Sequence, residues 1–302
     1  MDKVNLKNKR ILVTGGYGYL GKKLIIELLS HGAIVFAIDI IDGENTADNS
    51  YYKKIDLLDQ KELNAFVKFS KPDIIYHLAA TLNRSRDFSL ANNIFEINLK
   101  GTVNLLNSLK EFEYENFIFT STSEVYGGTF VKAPFKEHTN LVPASPYSLS
   151  KYCAEMSLKT FSNIYNKKFT ILRLFNFYSS DMSKNFFLPS LVDKLKRNED
   201  FDMTHGEQIR DYSHVKDILS ALILSASKKP TNEVFNVCSG VGKSIKEIAL
   251  EIKEHLNSTS KINFGAIPYR ENEVWNMTGD YQKIKKILNW LPKYELIEDI
   301  KK

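Results

Sequence analysis

The chain has 302 residues, of which 43% are hydrophobic and 25% charged, and its 41 Lys+Arg against 36 Asp+Glu leave a net charge of +5. These proportions belong to an ordinary globular protein and exclude wholesale disorder or a collagen-like fibre. The positive surplus is too small and too dispersed to argue for nucleic acid, although it suits an anionic small molecule.

Residues 10–14 (RILVT) read as a short strand ending in a glycine cluster, and residues 20–29 place Leu24, Ile25, Leu28 and Leu29 on one helical face. His31-Gly32 stops that helix, with glycine just past its end. A second buried strand follows at 33–38 (AIVFAI), with further strands at 51–55, 74–78 and 117–120 and helical stretches near 59–69 and 90–112. After Pro143 come a long helix over roughly 146–166 and a strand over 169–175. Beyond residue 178 the rhythm breaks; helices dominate, with short strands near 233–237 and 261–264. Short apolar strands alternating with helices mean βαβ units and a parallel sheet covered on both faces.

Two cysteines, Cys153 and Cys238, make no disulfide framework, and no Cys/His spacing suggests a metal site. Neither a signal-peptide pattern nor a membrane-length apolar run is read, so a cytoplasmic protein without membrane association is expected.

The segment Gly15-Gly16-Tyr17-Gly18-Tyr19-Leu20-Gly21 lies between the first strand and the first helix and satisfies both G-x-x-G-x-x-G and G-x-G-x-x-G. Glycines there allow a tight turn and close approach to a pyrophosphate, and the helix N-terminus offers free N–H groups. Asp39 closes the second strand, where a carboxylate can accept the hydroxyls of an adenosine ribose and repel a 2′-phosphate. Ile40 and Ile41 offer no arginine for such a phosphate, so NAD is expected rather than NADP. Asp56, after the third strand, either contacts the adenine amino group or forms a turn. The expected fold is therefore α/β, a Rossmann-type doubly wound parallel sheet with a smaller C-terminal mixed α/β substrate-binding lobe. The dinucleotide part spans 1–177, with a strand returning from about 207–240, and the lobe mainly 178–302.

Two further segments, FIFTSTSEVYG at 117–127 and PYSLSKY at 146–152 with its Tyr147-x-x-x-Lys151, complete a pattern with TGGYGYLG. Together they closely resemble the extended short-chain dehydrogenase/reductase family, the nucleotide-sugar epimerases and dehydratases. The likeness covers almost the whole chain, including HLAA at 77–80, NLKGT at 98–102, RDYSHVKD at 210–217 and LNWLPK at 288–293. Residues four apart share a helix face, and the resemblance implies that Tyr147 exchanges a sugar-hydroxyl proton while Lys151 tunes it and holds the nicotinamide ribose. A tyrosine ionises near 10, so lowering it by about three units takes roughly 4 kcal/mol from neighbouring cations. Thr122 takes the family's Ser/Thr position, its hydroxyl donating to the sugar oxygen, with Ser121 and Ser123 as fallbacks and Ser123 also facing substrate.

The resemblance also implies cofactor contacts from Gly15, Gly18, Tyr19, Leu20, Gly21, Leu57, Leu78, Ala79 and Ala80. It implies substrate contacts from Asn176, Arg210 and Arg270, the arginines gripping a diphosphate bidentately; Thr81 and Asn83 face the sugar. Ser179-Ser180 replace the family's Gly-Pro after Asn176-Phe177-Tyr178, so the loop there is expected to be shaped differently. Asp211 and His214 are read as shaping their loop.

The shared step is hydride exchange between NAD(H) and C4 of a nucleotide-diphosphate sugar. Thr122, Tyr147 and Lys151 suffice for a 4-dehydrogenase or 4-ketoreductase, the outcome expected first, in bacterial-type surface polysaccharide synthesis. A 4-epimerase also needs room for the keto sugar to turn. A 4,6-dehydratase needs Glu124 plus an acid, and Ser123 is a weak proton donor. A non-catalytic NAD sensor is the remaining alternative, against which the Tyr147/Lys151 pair argues. The resemblance further implies a homodimer through a four-helix bundle of the helices near 90–112 and 146–166, with Leu105, Leu106, Leu158 and Phe161 serving either that interface or the core.

Overall fold

The first apolar run forms strand β1 (Arg10–Thr14), followed by helix α1 (Tyr19–Ser30) and strand β2 (Ile34–Asp39). These come from a computed structural model that describes residues 4–44, 47–83, 85–127, 132–271 and 273–300. As the sequence suggests, α1 ends on His31, and Gly32 takes the positive φ of +80 that glycine tolerates. The chain continues through β3 (Ser50–Lys54), α2 (Gln60–Ser70) and β4 (Ile74–His77). Next comes a helix in three pieces: α3 (Ala91–Phe95), a π-helical turn (Glu96–Lys100) and α4 (Gly101–Leu109). It stops three residues short of the expected 112. Strand β5 (Asn116–Thr122), helix α5 (Pro146–Tyr165) and strand β6 (Phe169–Leu174) complete the regular alternation.

The remainder contributes β7 (Asn176–Tyr178), α6 (Phe187–Lys196), β8 (Phe201–Met203), β9 (Ile209–His214), α7 (Val215–Lys228) and β10 (Glu233–Val237). Then follow β11 (Gly242–Ser244), α8 (Ile245–His255), β12 (Ile262–Phe264), β13 (Asn276–Met277) and α9 (Gln282–Leu288).

The main sheet runs β10-β6-β5-β4-β1-β2-β3, and every pairing in it is parallel. Its strand order reverses between β1 and β4. Helix α1 after β1 packs on one face with α7, through Leu24, Ile25 and Leu28 against Ile218 and Leu222. Helices α2, α4 and α5 cover the other face, through Leu63, Leu105 and Leu158. Chains leaving neighbouring strands toward opposite faces open a crevice at the C-terminal ends of β1 and β4, the usual ligand position in such sheets. Leu105, Leu106, Leu158 and Phe161 are all buried in this monomer core, which settles the choice the sequence leaves open.

A second, smaller core joins α6, β8 and α8 through Leu191, Met203 and Ile248. It stands beside the small sheet β11-β9-β13, to which β7 adds by pairing with β9. Val125, Tyr126, Phe135, Phe175 and Met277 pack where the two parts meet. No helix among the described residues is long and apolar enough to cross a membrane.

Candidate active site

Parallel register sets the site. Thr14 pairs with Ile38 on one side and His77 on the other, and His77 pairs with Phe119, three residues before Thr122. The turn after β1, Asp39 at the end of β2, the segment after β4 and Thr122 at the end of β5 therefore line one edge.

The glycine turn is sterically committed. Gly15 sits at φ +71, and a Cβ there would come within 2.8 Å of Ala79 N. A Cβ on Gly21 would lie 2.1 Å from the Gly15 carbonyl, so the first turn of α1 packs directly on the loop. Gly18 is the N-cap of α1 and supplies no side-chain cap, which leaves the helix N–H groups to a ligand. Asp39 accepts the Tyr17 N–H at 2.9 Å and holds its carboxylate beside the turn. Leu20 and Leu78 pack half-buried against the core, Leu57 is buried, and Ala80 is exposed. This cradle fits the diphosphate and adenosine ribose of a dinucleotide. Asp56 is exposed after β3, and its Oδ1 accepts the Leu58 N–H at 2.9 Å, closing the turn there.

The catalytic candidates meet at the start of α5. Ser145 caps that helix with a capping box and Pro146 occupies its first turn, which puts Tyr147 and Lys151 on the sheet-facing side. Thr122, Tyr147 and Lys151 are only 7%, 8% and 3% exposed. The Lys151 ammonium stands 4.1 Å from the ring centroid of Phe119, on the strand that delivers Thr122. Burial pulls its pKa down to about 7, with Glu155 one turn on opposing the shift. Thr122 Oγ1 accepts the Glu124 N–H at 3.2 Å, starting a short 3-10 turn that presents Ser123 and Glu124.

Next to this group opens a cleft of about 100 Å3 lined by Ser123, Glu124, Ser145, Ser148, Asn176, Arg86, Arg210 and Arg270, with Glu273 and Met277. Arg210 donates to Glu273 Oε1 and to the Val274 carbonyl, each at 2.6 Å. Arg270 is exposed at the cleft. From residues 81–90 the lining takes Arg86, which donates to the Glu271 carbonyl, and neither Thr81 nor Asn83. Asn83 instead accepts the Ser85 N–H, and Arg84 lies outside the described residues.

Three residues given no role from sequence enter the site. Asn98, 2% exposed in the π-helical turn, accepts the Thr81 N–H at 2.8 Å and donates to Thr81 O and to Ser150 Oγ. Ser150 in turn donates to the Tyr147 carbonyl. The Asn98 carbonyl takes the Thr102 hydroxyl proton, so His77 Nε2 must donate to Thr102 and His77 Nδ1 must accept from Thr14. Burial, aided by Lys151, lowers the His77 pKa to about 3 and keeps that tautomer neutral. A polar string thus ties the glycine turn to the catalytic helix. Asparagine on the buried face of an apolar helix is the signal that betrays it. Arg86 and Glu273 are the other two, and for them only charge in a loop was legible.

The model of the family described as GDP-mannose 4,6 dehydratase matches residues 12–302. A putative UDP-glucose 4-epimerase of Methanocaldococcus jannaschii is 27% identical, covering 97% of this chain and 96% of that one. Among solved structures, UDP-glucose 4-epimerase of Thermotoga maritima with UDP-glucose superposes with a TM-score of 0.89 at 28% identity, covering 96% of each chain. MoeE5 in complex with UDP-glucuronic acid and NAD gives 0.85 at 26% identity, again covering 96% of each.

Proposed function

The chain belongs to the GDP-mannose 4,6 dehydratase family of NAD-dependent nucleotide-sugar enzymes, and on that footing we propose that it is a 4-epimerase of a nucleotide-diphosphate sugar. The observation that supports the proposal is that Lys151, one helical turn from Tyr147, lies over Phe119 of the strand that ends on Thr122, beside an arginine-lined cleft. Arg210 and Arg270 hold the diphosphate, leaving the sugar toward Ser123 and Tyr147. Tyr147, held as the phenolate by the Lys151 ammonium, takes the proton of the C4 hydroxyl and becomes the neutral phenol, and Thr122 donates to the oxygen as it becomes a carbonyl. Bound NAD supplies the acceptor, and then the donor, of the C4 hydride. Epimerisation then requires the keto sugar to turn and take the hydride back on its other face, after which Tyr147 returns the proton. Asp39 beside the glycine turn favours NAD over NADP, as the sequence implies.

Net oxidation or reduction at C4 uses the same three residues and differs in where the electrons end. The epimerases among the relatives favour a closed cycle instead. A second reading, 4,6-dehydration, has Glu124 in the cleft and the family description in its favour, against a serine where an acid is wanted. Purified protein incubated with UDP-, GDP-, dTDP- and CDP-sugars is expected to yield a C4 epimer by NMR without net NADH. Accumulating NADH points to a dehydrogenase and a 4-keto-6-deoxy sugar to a dehydratase; either overturns the proposal. Tyr147→Phe is expected to cut turnover about 10³-fold while NAD stays bound. The apolar side chains Met156, Ile164 and Tyr165, exposed on α5, support a homodimer through that helix; sedimentation showing only monomer at micromolar concentration would refute it.

A further inference from the structure

The Ser179-Ser180 pair, which stands where the resembled family has Gly-Pro, gives its loop a different set of anchors. Proline has no N–H, whereas Ser180 donates one to Asp299 Oδ2 at 2.7 Å, and the Ser179 hydroxyl donates to the same oxygen at 3.1 Å. His214, the N-cap of α7, stands 3.5 Å from that carboxylate. The next residue, Asp181, faces the other way. It accepts the Tyr19 hydroxyl at 2.6 Å and pairs with Lys23 Nζ at 2.5 Å.

Tyr19 and Lys23 sit on the first turns of α1, the helix whose uncapped N-terminus adjoins the glycine turn. Residues 179–181 follow β7, which pairs with β9 of the small sheet, so their contact with α1 joins that sheet to the helix whose N-terminus adjoins the glycine turn. A lone carboxylate beside a diphosphate site would repel the ligand. Here burial favours the protonated acid, but Lys23, Tyr19 and Ser179 outweigh it and hold the Asp181 carboxyl down to about 2, so the pair stays ionised through the neutral range.

We propose that residues 179–181 form a clasp beside the glycine turn, latched to α1 by Asp181 and anchored by Asp299, and that the latch must open before NAD enters or leaves. A cofactor held in this way suits a reaction that returns its hydride to the same sugar. The inference rests on NAD as the cofactor and not on epimerisation, and its readout involves no turnover, so the two can fail separately.

The test is Asp181→Ala, compared with the wild-type holoenzyme. Release is followed by loading with NADH, chasing with excess NAD and recording nicotinamide fluorescence; association is followed by stopped flow. A latch contributes to the barrier from both sides, so release and association are both expected to quicken about tenfold, equivalent to about 1.4 kcal/mol, with Kd changing less than about threefold. Tyr19→Phe removes one of the two latch bonds and is expected to quicken both rates by a smaller factor; it carries the test if the alanine variant does not fold. Release within about twofold of wild type in the folded variants overturns the clasp. Faster release with unchanged association overturns it too, because Asp181 would then be an ordinary binding contact.

Discussion

Lys151 is 3% exposed, and burial brings its pKa from 10.5 to about 7. In the unfolded chain the same ammonium keeps its proton up to about pH 10.4. Between those values the unfolded state binds more protons, so stability rises with pH across the window; below pH 7 the folded protein bears the full cost of a buried cation. That cost accompanies the placing of an ammonium one helical turn from Tyr147. For protein stripped of dinucleotide, Lys151→Met is expected to be more stable than wild type at pH 6–7, by on the order of a few kcal/mol. The difference should shrink toward zero as urea titrations move to pH 10. A gap that does not depend on pH would show that Lys151 is charged equally in both states. Tyr147 and Lys151 stand out in the sequence by their spacing and Thr122 by its place in the resembled motif, and the fold buries all three. Asn98 and Arg86 do not stand out there, because only the fold shows that a π-helical turn aims one inward and that a loop crosses to residue 271 with the other.

Helix α5 shows how one element keeps such residues in place. It carries a capping box, an N-terminal proline and an αL cap at Asn166, signals that a 20-residue apolar period makes readable. One turn past Lys151, Glu155 is fully buried and forms a two-pronged pair with Arg173 of β6, at 3.0 and 2.8 Å. Arg173 also donates to the Tyr126 hydroxyl, which donates to Asn236 of β10. The pair therefore locks the catalytic helix to the sheet. Glu155→Gln leaves a buried guanidinium without its counter-charge, and such losses run to about 3–5 kcal/mol. The expected result is a fall of that size in urea-unfolding free energy, together with a Tyr147-dependent activity profile moved along the pH axis, since Glu155 also supports the Lys151 charge. Unchanged stability would mean that water reaches the site and screens the pair. Long elements such as α5 were readable end to end. The strands β7, β8, β11 and β13, of two or three residues each, are too short to show any period, which is why the second half read as helices with little sheet.

At the scale of the whole molecule, the dinucleotide crevice and the arginine-lined cleft must be held at a fixed distance for a sugar to span them, and Asp211 is the clearest fastening. It is fully buried on β9, where it accepts the Ser239 N–H at 2.8 Å, the Ser239 hydroxyl at 2.6 Å, the Gly240 N–H at 2.9 Å and the Gly279 N–H at 3.2 Å. Those donors follow β10, the edge of the main sheet, and β13 of the small one, so a single carboxylate binds both sheets and stands next to Arg210. The sequence reading of Asp211 as a loop-shaping residue describes its local part; the link between sheets depends on strand order that no local pattern carries. Asp211→Ala strands the buried Gly279 N–H and the part-buried Ser239 and Gly240 N–H groups, and a buried one costs about 1–3 kcal/mol when unpaired. Relaxation and water entry reduce the sum, and a loss of about 3 kcal/mol in urea titration is expected. Because β1, β4 and the glycine turn lie away from this junction, NAD affinity should change little while KM for the nucleotide sugar rises, as Arg210 and Arg270 lose their alignment with Tyr147. Equal losses in NAD and sugar binding would mean that the junction supports the entire sheet edge, and an unaltered KM that Arg210 keeps its position without Asp211.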